Sequence, residues 1–252
     1  MDPIPPGSGS EGPPDSAAPS HASALADLAT RVVGCRRCPR LVAWREQVAA
    51  EPPRRHLGES YWARPLPGFG DPRARVVVIG LAPAAHGANR TGRIFTGDRS
   101  GDWLYAAMHR AGLASQARSI APGDGLRLAG AYVTAVNRCP PPANRPTTAE
   151  RDNCLPYLAE ELSLLPDARA LVALGAYAWD GTLRALRDLG HPTPRPKPRF
   201  GHCAEARVGP YALVGCFHPS QQNTFTGRLT EPMLDAAFAR ALALAGDGDG
   251  GY

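Results

Sequence analysis

At 252 residues the chain is long enough to bury one substantial core, and its apolar runs are too short and too often broken by Gly and Pro to span a membrane. Formal charge is +5, but residues 1 to 20 hold Asp2, Glu11 and Asp15 and no Lys or Arg, which leaves +8 on the rest. Lys197 is the sole lysine among 28 basic residues; this guanidinium-rich balance suits a polyanionic partner, although a solvated, arginine-biased surface gives the same count.

Residues 1 to 22 are rich in Pro, Gly and Ser and nearly devoid of large apolar side chains, so they are expected to form a disordered tail before a single domain over 23 to 252. No basic start followed by an apolar run marks the chain for secretion, and the expected location is the cytoplasm. SALADLATRVVG reads as a first amphipathic helix. Four β-branched runs then read as strands: VVVIG at 76 to 80, AYVTAV at 131 to 136, ALVALG at 170 to 175 and YALVGCF at 211 to 217.

Helical periodicity fills the intervals, in GDWLYAAMHRAGL, TTAERDNCLPYLAEELSLL and GAYAWDGTLRALRDLG, and EPMLDAAFARALALAG closes the chain. Strands alternating with helices imply crossovers, hence an α/β fold with a parallel sheet covered on both faces. If Gly209 and Pro210 form a two-residue turn, Val208 faces Tyr211 and Cys203 falls opposite Cys216. In a reducing compartment that pair is read as buried thiols rather than a disulfide.

The remaining cysteines are Cys35 and Cys38, in a C-x2-C spacing after the first helix, and Cys139 and Cys154, which flank a Pro-rich loop. Four thiols in a cytosolic chain point to a metal, because C-x2-C directs two sulfurs to one ion or cluster. Spacing leaves both zinc and an iron–sulfur cluster open. The single C-x2-C knuckle is unlike a zinc ribbon, and a second pair spanning a strand end and a helix suits a larger cluster that pins the N-terminal segment to the core.

Between the first strand and the next helix runs GLAPAAHGANRTGRIFTGDRSGDWL, residues 80 to 104. Its glycines resemble neither G-x-G-x-x-G nor a P-loop, which argues against a nucleotide cofactor. It does offer a rigid Pro83, an aromatic Phe95 able to stack on a planar ring, and a carboxylate, Asp98, just before the helix. After the fourth strand, HPSQQNTFTGRLT places His218 at a strand's carboxyl end, where α/β sheets build their sites, and NRCPPPANRP leaves the second strand at the same edge. Each residue also has an ordinary use: Asp98 as a helix N-cap, His218 in a turn, Phe95 in the core.

Taken together, GLAPAAHGANRTGR, FTGDRSGDWL, CPPPANRPT and HPSQQNTFTGRLT, with the cysteines at 35, 38, 139 and 154, resemble the family 5 uracil-DNA glycosylases over about residues 23 to 246. The resemblance implies a three-layer α/β/α fold around a four-stranded parallel sheet and a 4Fe-4S cluster on Cys35, Cys38, Cys139 and Cys154. It also implies excision of uracil from double-stranded DNA by a monomer acting away from membranes. Carried over, Phe95 stacks on the extruded base, Asp98 orients or activates water, and Asn144 and His218 bond the base.

Two departures from the related family 4 concern the base pocket. Leu81, followed by Ala82, stands where family 4 has an acid, and Ala135 stands where it has an asparagine that reads the uracil edge; Asn137 is out of register for that task. The resemblance thus leaves Asp98 as the substitute acid and implies a permissive pocket that also accepts hypoxanthine and other deaminated bases. The rival readings are a strict family 4-like uracil enzyme and a non-catalytic DNA-binding module carrying a cluster or zinc. Ser220, Gln221, Phe225 and Arg228 form the expected wedge and phosphate grip after His218, with Arg90, Arg93 and Arg145 as further phosphate ligands.

Overall fold

The computed structural model describes residues 20–246. The tail expected over 1 to 22 lies outside the described residues as far as 19. Its last residues are not tail: Ser20 caps helix α1 (His21–Val33) by accepting from the Ser23 amide. Helix α2 (Pro39–Ala50) follows, begun by Cys38 as its N-cap and Pro39 in its first turn, and sequence periodicity alone did not reveal it.

The body alternates strand and helix as expected. In chain order it holds β1 (Phe69–Gly70), β2 (Val76–Gly80), α3 (Ala88–Thr91), α4 (Arg99–Arg110), β3 (Ala131–Ala135) and α5 (Thr148–Ser163). It continues with β4 (Ala170–Leu174), α6 (Ala176–Asp188), β5 (Glu205–Val208), β6 (Tyr211–Cys216), α7 (Gln221–Phe225) and α8 (Glu231–Gly246). The sheet order is β1-β3-β2-β4-β6-β5. Its four central strands are parallel, in a register such as Val133, Val78, Val172 and Val214 side by side, and antiparallel β1 and β5 finish the two edges. The expected four-stranded parallel sheet is therefore present as the centre of a six-stranded one.

Alternation along the strands sends side chains to two separate cores. Val76, Val78, Val133, Val172 and Val214 pack beneath α4 and α8, against Leu104, Met108, Leu234 and Phe238. Val77, Ile79, Leu171, Ala173 and Leu213 pack beneath α5 and α6, against Leu158, Leu162, Trp179 and Leu186. Every residue of β2, β3, β4 and β6 is buried, as a parallel sheet covered on both faces requires. Among the described residues no helix is long and apolar enough to cross a membrane.

The hairpin of β5 and β6 has the expected register, with Val208 opposite Tyr211 and Gly209 at φ +57° in the turn. The register breaks beyond Glu205. Cys203, at φ +54°, donates its amide to Gly215 O at 2.7 Å, while the Gly215 amide bonds Ala204 O at 2.8 Å. Two residues thus oppose one, a β-bulge, and Cys203 and Cys216 are neighbouring free thiols rather than ladder partners.

Candidate active site

The carboxyl ends of β2, β3, β4 and β6 meet at one sheet edge, and the segments read as chemical lie there. The backbone ladder continues past the strands, with the Val136 and Asn137 amides bonding Gly80 O and Leu81 O at 3.0 and 2.9 Å. The chain then turns through α3, ended by Gly92 at φ +88°, and reaches Phe95, a non-glycine residue held at φ +51°. Such a left-handed conformation persists only where the surroundings fix it. Here Tyr105 Oη donates to Ile94 O at 2.9 Å, Thr91 Oγ1 donates to Thr96 O at 3.1 Å, and Gly101 lies so close that a Cβ there would sit 1.8 Å from Phe95 O.

Phe95 is buried against Gly80, where a Cβ would come within 2.6 Å of its ring, and the ring centroid lies 5.9 Å from that of the His218 imidazole. His218 follows β6. Its carbonyl accepts from Asn223 Nδ2 and the Ser220 amide, both at 2.8 Å, so the turn is fixed by backbone bonds. The ring nitrogens have no hydrogen-bond partner among the described residues. Burial pushes the imidazole pKa down to about 4, so His218 is neutral near pH 7 and keeps one N–H to donate and one nitrogen to accept.

Asp98 is the N-cap of α4, its Oδ1 accepting from the Gly101 amide at 3.1 Å. The ordinary structural role is thus real, and it leaves the second oxygen free. Oδ2 faces Gly87, where a Cβ would lie 2.0 Å away, so this glycine makes room for the carboxylate. Burial raises the Asp98 pKa, and bonds from the Gly101 and Ser100 amides oppose the rise. A partly desolvated carboxylate with one oxygen fixed by an amide and the other beside a glycine is arranged to orient a water or face a developing cation.

The other expected base contacts divide. Ala135 is buried beside Gly80 at the end of β3, and Leu81 and Ala82 are half-buried at the end of β2. Asn137 is spoken for: its Nδ2 donates to Glu150 O at 3.1 Å and its Oδ1 accepts from Tyr177 at 2.7 Å, which agrees with its being out of register. Asn144 is exposed, at φ +55° in the Pro-rich loop, and no hydrogen bond among the described residues joins it to Asp98 or His218.

Among the expected DNA handles, Ser220 caps the short α7, accepting from Asn223 N at 3.3 Å, and Gln221 opens that helix on the surface. Phe225 is 67% exposed and covered on one face by the Arg99 guanidinium at 4.4 Å. Arg99 follows Asp98 in the chain, so the wedge candidate lies against the start of α4, a contact the sequence did not signal. Arg228 is exposed and stacks on Phe217 at 4.8 Å, and Arg145 is exposed.

Arg90 and Arg93 are corrected. Arg90 bonds Glu59, His86 O at 2.9 Å and Gly97 O at 3.2 Å. Arg93 is buried, bound to Asp124 at 2.6 Å and Ser119 at 2.7 Å. Both guanidiniums hold the loop between β2 and α4 together and are not presented to phosphate.

On the opposite flank of β3, Cys35, Cys38, Cys139 and Cys154 line one cavity, with Leu41, Tyr157 and four arginines in its wall, Arg45 and Arg138 buried and Arg36 and Arg37 exposed. All four are free thiols. Their elements are tied by Arg40, which forks onto Glu150 at 2.7 and 2.6 Å and so joins α2 to the capping box of α5. Burial pushes the Cys139 thiol up to about 12 and that of Cys154 up to about 11, so binding a metal here releases protons. No three His, Cys, Asp or Glu side chains among the described residues gather tightly enough for a single ion. A polynuclear cluster, each iron taking one thiolate, does not need them to. Arg45 Nε and Arg138 Nε are buried without a hydrogen-bond partner, cationic donors that an anionic group in the cavity would satisfy.

Residues 67–242 match the model of the uracil DNA glycosylase superfamily. The chain is 53% identical over 227 residues to a type-5 uracil-DNA glycosylase of Mycobacterium tuberculosis, covering 89% of this chain and 83% of the relative. It is 50% identical over 218 residues to the type-5 enzyme of Thermus thermophilus, covering 85% and 95%. Identity to a type-4 uracil-DNA glycosylase of Pyrobaculum aerophilum is 29% over 188 residues, covering 73% and 83%.

Proposed function

Because the chain belongs to the uracil DNA glycosylase superfamily, on its type-5 branch, we propose that it excises uracil from DNA with Phe95, Asp98 and His218 as its working residues. The observation that carries these roles is the meeting of an aromatic ring, a half-free carboxylate and an unpartnered neutral imidazole at one sheet edge.

A flipped base stacks on Phe95, whose ring is seated against Gly80. As the N-glycosidic bond lengthens, the sugar gains cation character and the leaving base gains anion character. His218 donates its N–H to the base as that charge grows. Asp98, ionised, steadies the sugar cation and orients the water that adds to it, taking up the water's proton on its free oxygen. Asn144 joins from its exposed loop only once DNA is bound. The products are free uracil and an abasic site.

With Leu81 and Ala135 in place of polar base-reading groups, the pocket admits hypoxanthine and other deaminated bases as well. Phe225 fills the gap left in duplex DNA, and Arg99, Arg145 and Arg228 grip phosphates; the enzyme works as a monomer in the cytoplasm. Cys35, Cys38, Cys139 and Cys154 hold a 4Fe-4S cluster, which supplies a fastening between the N-terminal helices and the sheet. Support for it comes from the shared cavity, the all-thiol donor set and the unpartnered arginine donors.

The test is uracil release from a duplex by the native protein, Asp98→Ala and His218→Ala. Each variant is expected to lose about 100 to 1000-fold in rate while still binding DNA, the usual cost of removing one charge-stabilising group. Full activity in both would refute the assigned roles.

A further inference from the structure

Arg45 occupies a position that the pattern of its helix assigns to an apolar residue. It shares the buried stripe of α2 with Leu41, Val42 and Val48 and is only 2% exposed. An arginine does not shed its proton inside a protein, so this charge is permanent wherever it is placed. Yet no carboxylate lies within ion-pairing distance of it among the described residues. Its partners are Cys139 Sγ, to which Nη1 donates at 3.0 Å, and the Cys35 carbonyl, at 3.4 and 3.5 Å from the two terminal nitrogens. Its Nε has none.

The other buried arginine of the cavity wall makes the contrast. Arg138 is as deeply buried, but Glu161 matches its charge at 2.6 Å, and Thr134 accepts from it as well. Arg138 is therefore balanced by the protein. Arg45 has no such pair, since the neighbouring Glu46 lies on the surface bonded to Arg36, and a buried cation without a paired anion is strongly unfavourable. The two partners it does have are both cysteines of the four-thiol set.

We propose that Arg45 is the built-in counter-charge and outer donor of the group bound by those thiolates, holding the Cys139 sulfur and offsetting the negative charge that four thiolates bring. This rests on the cluster reading given above. A hydrogen-bonded cation beside a ligand sulfur favours the more negative, reduced state of a cluster and retains its iron.

The test uses full-length holoprotein purified without oxygen, as native chain, Arg45→Gln, Arg45→Met and Arg45→Lys. Iron and acid-labile sulfide per chain are measured first, then bleaching of the visible absorption by an iron chelator, then the midpoint potential by mediated titration. Arg45→Gln and Arg45→Met are expected to lose iron roughly tenfold faster or more, the scale of an outer-shell substitution at a metal site. Their midpoint potentials should be lower than native. Arg45→Lys, which keeps the charge, should stay much closer to native. Arg45→Gln keeps a polar head and carries the test if Arg45→Met does not fold. Native rates and potential in Arg45→Gln would overturn the proposal and leave the cluster standing. Native protein without iron or sulfide would overturn both.

Discussion

Replacing Gly87 with alanine tests the role of Asp98 without touching a titratable group. A Cβ at Gly87 would lie 2.0 Å from Asp98 Oδ2, 2.8 Å from its Cγ and 3.0 Å from its Cβ, so rotating the carboxylate tip cannot relieve the overlap. The whole side chain must retreat by roughly 1 Å, and a misplacement of about that size costs on the order of 100-fold in rate. Because Oδ1 caps α4, the retreat also strains the bond to Gly101, at a cost near the ~1 kcal/mol of a lost N-cap. Single-turnover release of uracil, binding of an abasic duplex and thermal melting separate the effects. The expected pattern for Gly87→Ala is a fall of about 100-fold in the chemical step, near-native binding and a melting temperature lower by a few degrees. A full chemical rate, with the protein folded, would show that the position of the Asp98 carboxylate does not matter.

The remaining expectations concern pH, base choice and salt. Asp98 must be ionised to work and burial raises its pKa, so the acid limb of the rate should lie higher than an ordinary aspartate would set it and vanish from the residual activity of Asp98→Asn. The same shift opposes stability: the contribution of Asp98 is fully present below its unfolded pKa and is lost as pH rises through the raised folded value. His218 has the opposite sign. Its pKa falls from 6.5 to about 4, so its contribution is present above 6.5 and is lost as pH falls to 4, an effect of roughly 3 kcal/mol that His218→Gln should remove from the pH dependence of unfolding. Ala135→Asn, which restores a polar reader beside Gly80, should cut release of hypoxanthine far more than release of uracil; equal losses would count against a pocket made permissive by Ala135. Removing Arg145 and Arg228 together should lower the salt slope of DNA binding by about 2, measured by anisotropy across a salt series, whereas Arg93→Met should change the rate and leave that slope alone.

Local pattern carried much of this architecture. The four parallel strands are β-branched runs bounded by Gly and Pro, and the motifs fall together because strand ends in an α/β sheet share one edge. What the sequence did not disclose depends on partners far along the chain. Arg93 reads as a surface arginine until Ser119 and Asp124, 26 and 31 residues on, fold over it. Helix α2 hid because its buried stripe contains Arg45, whose place makes sense only once Cys139, 94 residues away, is beside it. The pairing of Cys203 with Cys216 failed for a related reason, since a bulge changes register without altering the alternation that predicts it. Asn144 is assigned by resemblance alone, and it sits exposed in a turn with two successive residues at positive φ, Ala143 and Asn144.

The most direct measurement is of products: the purified native protein with a duplex carrying one uracil opposite guanine, scoring free uracil and abasic sites together. The expected result is one free uracil per abasic site, with the strand left intact until alkali is added. A protein that binds this duplex but releases no base would contradict the claim that the edge formed by Phe95, Asp98 and His218 is a glycosylase site.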